Sequence, residues 1–136
     1  MHPKSFHAME HSLIIHNSRE SIIISISQLL YIKAEGNYSY FFWIDNTPHP
    51  AGKPDKTIGT VITIQLGEID KLIKKLDNDD RKKLVRIGRS HIINLQYLYK
   101  IDLTRTELHL MDRAHNIHTL EASHEALSKL KEAIDK

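Results

Sequence analysis

Apolar residues alternate with polar ones, or cluster in short runs, through most of this chain, and recur at helical spacing in only two places. Short alternating runs mark half-buried strands, whereas recurrence every three to four residues marks an amphipathic helix. Leu13-Ile14-Ile15 and Ile22 to Ile26 predict a first hairpin, with the turn formers Asn17-Ser18-Arg19-Glu20 between them. Leu30-Tyr31-Ile32 begins a third strand, and Gly36-Asn37 turns it back into the aromatic run Tyr38 to Trp43. Phe41, Phe42 and Trp43 are expected in the core. Thr57 to Ile64 is the return strand. Leu66, Ile69, Leu72, Ile73 and Leu76 then form a helical stripe opposite Glu68, Asp70, Lys71, Lys74 and Lys75. The run Asp77-Asn78-Asp79-Asp80 is expected to end that helix.

The following stretch, Leu84 to Leu95, carries the most information. Val85 and Ile87 point one way in an extended chain and Arg86 the other. Gly88 breaks the alternation as a turn residue would, Arg89 and Ser90 stand at the break, and Ile92-Ile93 returns to the core. Tyr99, Ile101 and Leu103, then Leu108 and Leu110, predict two more strands joined near Thr104-Arg105-Thr106. A last strand runs from Asn116 to Leu120. The chain closes with a helix from about Ser123, a plausible N-cap, whose stripe is Ala126, Leu127, Leu130, Ala133 and Ile134. The expectation is a mainly β fold, several small antiparallel sheets in an elongated layered arrangement with two short helices.

Between Asp45 and Lys56, Pro48, Pro50, Gly52 and Pro54 forbid a regular element. This stretch reads as a long hairpin tip rather than a domain linker. Residues 1–12 read as a flexible tail, and 13–136 as one domain, a reasonable size for 136 residues.

Composition narrows the function by exclusion. There is no cysteine, which removes disulfides, thiolate metal sites and cysteine nucleophiles and suits a reducing cytoplasm. No apolar run approaches the roughly 20 residues that span a bilayer. His7 and His11 stand four apart but belong to no ligand motif, and no metal or cofactor is expected. Phosphate-binding glycine loops, nucleophile elbows and zinc-protease motifs are missing, so nothing supports an enzyme. The net charge of +2 is modest. Charge is nevertheless clustered: from Arg81 to Lys100 there is no acidic residue, while Arg81, Lys82, Lys83, Arg86, Arg89 and Lys100 all lie in that window. An arginine at a turn, braced by buried neighbours, suits a guanine edge or a phosphate. Solvated surface charge on an ordinary strand accounts for the same run.

Two segments carry a family resemblance. Tyr31-Ile32-Lys33-Ala34-Glu35-Gly36-Asn37-Tyr38 resembles the Y-I-E-A-x-G-N-Y strand and turn of the LytTR family of bacterial DNA-binding domains. Leu84 to Asn94 resembles that family's F-x-R-V-H-R-S-Y-I-V-N segment, and an L-x-E-I-x-x-L-type helix lies between them. The likeness runs from roughly Ile22 to Ile134. It implies a transcription regulator that reads the major groove through loops, at paired promoter repeats, with copies that pair on DNA. It implies base reading by Asn37, Tyr38, Ser39 and Tyr40, by Arg89 with Ser90, and by the approach to the last helix at Ala122, Ser123 and His124. Lys82, Lys83 and Arg86 would add phosphate contacts. This chain departs from the pattern at Gly88, where the family has His, and at Ala122, where arginine is frequent. About 20 residues precede the likeness, which suggests a free-standing regulator whose signal comes from expression level, oligomerisation or an unknown protein partner. The competing expectation is a non-enzymatic protein–protein interaction module using a sheet edge or the 45–56 loop.

Overall fold

The computed structural model describes residues 11–16, 18–45 and 60–135. Most of the expected 1–12 tail and 45–56 tip lies outside these residues, although Ser12 already belongs to the first strand. The described chain forms β1 (Ser12–His16), β2 (Ser21–Ser25), β3 (Leu29–Glu35), β4 (Tyr38–Trp43), β5 (Thr60–Ile62), α1 (Leu66–Lys74), α2 (Asn78–Lys83), β6 (Leu84–Ile87), β7 (His91–Asn94), β8 (Leu98–Asp102), β9 (Glu107–Met111), β10 (Ile117–Glu121) and α3 (His124–Asp135). The strands make three antiparallel sheets: the hairpin β1-β2, a five-stranded sheet in the order β5-β4-β3-β7-β6, and a three-stranded sheet in the order β10-β9-β8.

The five-stranded sheet is the middle layer. Residues directly opposed in neighbouring strands share a face, and the register sorts the sheet cleanly. Ile32, Phe41 and Ile92 lie in register on one face. They are buried with Leu84 against Leu13, Ile15 and Ile24 of the first hairpin and Leu66, Ile69 and Ile73 of α1. Tyr31, Phe42 and Ile93 occupy the other face. There Tyr31 and Ile93, with Ile87, meet Leu108, Leu110 and Leu120 of the three-stranded sheet and Leu127 and Leu130 of α3. Strand β3 is therefore covered on both sides, and Leu29 to Ile32 are all buried. A register shift between Leu29 and Tyr31 sends Leu29 into the first core and both Leu30 and Tyr31 into the second.

A buried amide joins the two central strands. Asn94 is fully buried at the end of β7. Its side-chain NH2 donates to the carbonyls of Ile26 (2.9 Å) and Leu29 (2.8 Å), and its carbonyl oxygen accepts from the Gln96 N–H at 3.0 Å. Every polar group of this side chain is engaged, as burial requires.

Four expectations need correction. Asp77 to Asp80 does not merely end α1; it starts a further helix. The Asp77 carboxylate accepts the Asp80 N–H at 3.0 Å as an N-cap, with acids in the first turn and Arg81, Lys82 and Lys83 in the last. Tyr99 faces solvent, 60% exposed, because a register shift between Leu98 and Lys100 turns it out of the alternation. Ala133 and Ile134 are also exposed, since buried contact ends at Leu130 on α3. The strand expected over Thr57 to Ile64 ends at Ile62, before Thr63 and Ile64, and its first three positions lie outside the described residues. No helix among the described residues is long and apolar enough to cross a membrane.

Candidate nucleic-acid interface

Two tight turns stand side by side at one end of the middle sheet. Gly36 begins the β3–β4 connection and Gly88 the β6–β7 connection, both with φ of 61°. Nothing lies within 4 Å of a Cβ added at either, so glycine is required by backbone conformation rather than by space. Strands β3 and β7 are antiparallel, and Lys33 opposes His91. The end of β3 therefore meets the start of β7. The Ala34 N–H donates to the Ser90 carbonyl at 2.8 Å, which ties one turn to the other.

Of the residues expected in the first turn, Asn37 and Tyr38 are exposed and Tyr40 is half-buried. The Asn37 side-chain oxygen accepts from Gln65 Nε2 at 3.2 Å, bracing the turn against the start of α1. Ser39 is a correction. It is fully buried and its hydroxyl donates to the Ile64 carbonyl at 2.7 Å, so it fastens β4 to the chain entering α1 and presents nothing to a ligand. Alternation along β4 sets this: Ser39 shares the inward face with Ala34 and Ile62.

In the second turn Arg89 and Ser90 are exposed. Arg89 has no ion-pair partner among the described residues, and Ile87 and Ile92 on either side are buried. Arg86 points away from Val85 and Ile87, as alternation requires, and its guanidinium lies 3.9 Å from the Asp70 carboxylate. That is a long contact between partly exposed groups, so it leaves Arg86 available. Lys82 is exposed on the last turn of α2. Lys83 differs. Its ammonium sits 3.2 Å from the buried Asp80 carboxylate, so its charge is committed to the fold. Both lysines belong to the capped helix α2, in its last turn.

Ser123 and His124 are exposed at the start of α3. The Ser123 hydroxyl oxygen accepts the Ala126 N–H at 3.1 Å, the expected cap. Ala122 is half-buried and packs into the second core. Ser123 lines one surface groove with Arg86, Ile87 and Gly88. The third expected region thus adjoins the arginine turn, which in turn adjoins the Asn37 turn.

The acidic groups near these elements serve the structure. His11 Nδ1 lies 2.9 Å from both Asp80 oxygens, and His11, Asp77 and Asp80 converge within 4.8 Å. Asp77 caps α2 and Asp80 also holds Lys83, so these oxygens anchor the helix. Asp112 accepts from the backbone N–H groups of Ala114 and Asn116, both at 2.9 Å, and from His118 Nε2 at 2.8 Å. Burial pushes its carboxyl up, but these hydrogen bonds outweigh that and hold it below the usual carboxylate range. It fastens the β9–β10 turn.

Sequence reasoning passed over Lys33 and His91. The two are cross-strand partners beside the turns. Burial, then the Lys33 charge, lowers the His91 imidazole below its ordinary range. The available signal was parity: Lys33 lies two residues from Tyr31, hence on the same face, once β3 and β7 are known to pair.

Comparison with known proteins agrees with this architecture. Over 90% of this chain and 95% of the other, the structure is similar to the LytTr DNA-binding domain of a methyl-accepting/DNA response regulator from Bacillus cereus, with a TM-score of 0.54. At 17% identity that likeness speaks for the fold alone. No curated protein matches the chain. The family model described as the LytTr DNA-binding domain matches residues 54–135, which include β6, the Gly88 turn, β7 and the start of α3. That match covers more than half of the chain, which therefore belongs to the LytTR family of DNA-binding domains.

Proposed function

We propose that this protein is a sequence-specific regulator of transcription that reads double-stranded DNA in the major groove through its two glycine turns. The observation that carries the reading is the Ala34–Ser90 backbone bond, which holds Asn37, Tyr38 and Arg89 on one sheet end. Arg89 supplies a bidentate guanine contact from a turn braced by buried residues. Asn37 and Tyr38, with Tyr40 beside them, read from the first turn, and Ser90, Ser123 and His124 extend the surface toward α3. Lys82 and Arg86 hold phosphates without reading sequence. Lys83 and Ser39 leave this set for the structural reasons above. The role is one of binding in the cytoplasm, without catalysis or cofactor. Copies pair on repeated promoter sites, and the signal comes from expression level, oligomerisation or a protein partner.

The test is selection of bound duplexes from random DNA with the full chain. Enrichment of a short guanine-containing motif, present as a repeat, is expected. Binding without enrichment of any sequence would reduce the protein to a non-specific binder, and no binding would remove the reading altogether.

A further inference from the structure

A lysine and a histidine face each other just below the two turns. Lys33 on β3 opposes His91 on β7, and Tyr40 on β4 opposes Lys33 from the other side. Directly opposed residues share a face, so these three side chains stand in a row. Lys33 is exposed, while His91 and Tyr40 are half-buried. The row is continuous with the Gly88 turn, because Ile87 opposes His91 from β6 and Ser90 immediately precedes it.

The titratable and charged neighbours are few. From β3 they are Tyr31, whose ring centroid lies 6.3 Å from that of His91, Lys33, and Glu35 two residues beyond it on the same face. From β4 they are Tyr38 and Tyr40, and from the turn Arg89. From β10 comes His118, edge-on to Tyr31 at 6.2 Å and already bonded to Asp112. Among the described residues no carboxylate is ion-paired with Lys33 or His91. Two cations placed directly opposite repel, which disfavours charging both at once. The half-buried imidazole is the group that gives way, consistent with its lowered affinity for protons. A bound oxyanion reverses that balance, because an opposite charge at short range favours the protonated ring.

We propose that Lys33 and His91 form a proton-linked seat for a phosphodiester of the DNA backbone, flanking the bases read by the turns. As the phosphate docks beside the Lys33 ammonium, the His91 imidazole takes one proton from solvent and becomes a second cation for the same oxyanion. No covalent bond changes; one proton moves from water to a ring nitrogen. DNA affinity therefore rises as pH falls through the range between the free and bound states of His91. The inference rests on the DNA-binding reading and adds to it a contact that is switched by pH.

The test measures binding of the full chain to a fixed duplex at about pH 8 and about pH 6, either side of the ordinary imidazole range. Calorimetry in buffers of differing ionisation enthalpy counts the protons taken up. The unsubstituted protein binds more tightly at the lower pH, by at most about tenfold per pH unit, the ceiling for one linked proton. His91→Gln and His91→Phe lose the low-pH gain and the proton uptake, the phenylalanine preserving a ring beside Tyr31. Lys33→Gln moves the midpoint upward, because the neighbouring cation no longer opposes protonation, and lowers the salt slope by about one. Binding that is equally tight at both pH values, or pH dependence that survives both His91 substitutions (for instance through His124), overturns the inference and leaves the DNA reading standing. No binding by the unsubstituted chain at either pH overturns both.

Discussion

A single change at the fully buried Asn94 should unsettle the fold. Its amide makes three hydrogen bonds, two as donor to the Ile26 and Leu29 carbonyls and one as acceptor from Gln96. At about 1 kcal/mol net for each bond, Asn94→Ala forfeits about 3 kcal/mol. The vacated space at a fully buried position adds to this, while the Ile26 carbonyl keeps one donor, the Leu29 N–H. A loss of about 3–4 kcal/mol is a large share of the 5–15 kcal/mol that domains of this kind possess. Asn94→Asp is the sharper test. It keeps the acceptor for Gln96 but turns a carboxylate oxygen toward two carbonyls. Burial and those carbonyls raise the folded-state pKa of that carboxyl above its unfolded value. The lost stability is then partly regained as pH falls through the folded pKa, where the protonated acid can donate one bond. Urea unfolding followed through Trp43, the chain's single tryptophan, whose indole N–H donates to Thr60 across β4 and β5, reports the transition. An alanine variant within about 1 kcal/mol of the original, or an aspartate variant less damaging than alanine at neutral pH, would refute the reasoning.

Gly88→Ala places a Cβ in open space but in a left-handed conformation, so it should cost about 1–2 kcal/mol in thermal or urea unfolding, and Gly88→Asn less. Folded-state affinity of His91 for protons is depressed, so its contribution to stability is present above its unfolded pKa of about 6.5 and is lost as pH falls through that range. His91→Phe should flatten that part of the stability–pH curve without DNA present. Lys83→Ala should lower stability by about 1–3 kcal/mol, since among the described residues buried Asp80 then keeps only His11 as a side-chain partner, and should leave the salt slope of DNA binding unchanged. Lys82→Ala should do the reverse, lowering the slope by about one with little effect on unfolding.

Much of this architecture is written in local pattern. The hairpins closed by Gly36 and Gly88, the α1 stripe from Leu66 to Ile73, the Ser123 cap and the buried Leu108 and Leu110 follow from spacing and turn chemistry. Helix α2 was legible too, because Asp77 three residues ahead of Asp80 is a start signal, but its polar surface hides it from a search for apolar stripes. The bulge that exposes Tyr99 is not legible, since an inserted residue depends on the partner strand. The candidate interface divides in the same way. Arg89 at its turn can be found from sequence. Its adjacency to Asn37 needs the β3–β7 pairing, a contact between residues more than fifty positions apart. Burial of Ser39, commitment of Lys83 to Asp80 and the facing of Lys33 and His91 are long-range facts of the same kind.

The central claim is that Arg89 reads a base while Lys82 only holds the backbone. The direct measurement is the affinity of the unsubstituted chain, Arg89→Ala and Lys82→Ala for the selected duplex and a scrambled one, each at two salt concentrations. Arg89→Ala should lose about 1–3 kcal/mol on the selected duplex, little on the scrambled one, and relax preference at one or two base pairs. Lys82→Ala should weaken both by similar factors and flatten the salt dependence. Equal loss on both duplexes for Arg89→Ala would contradict the account, making that arginine a phosphate anchor and leaving base reading to Asn37 and Tyr38.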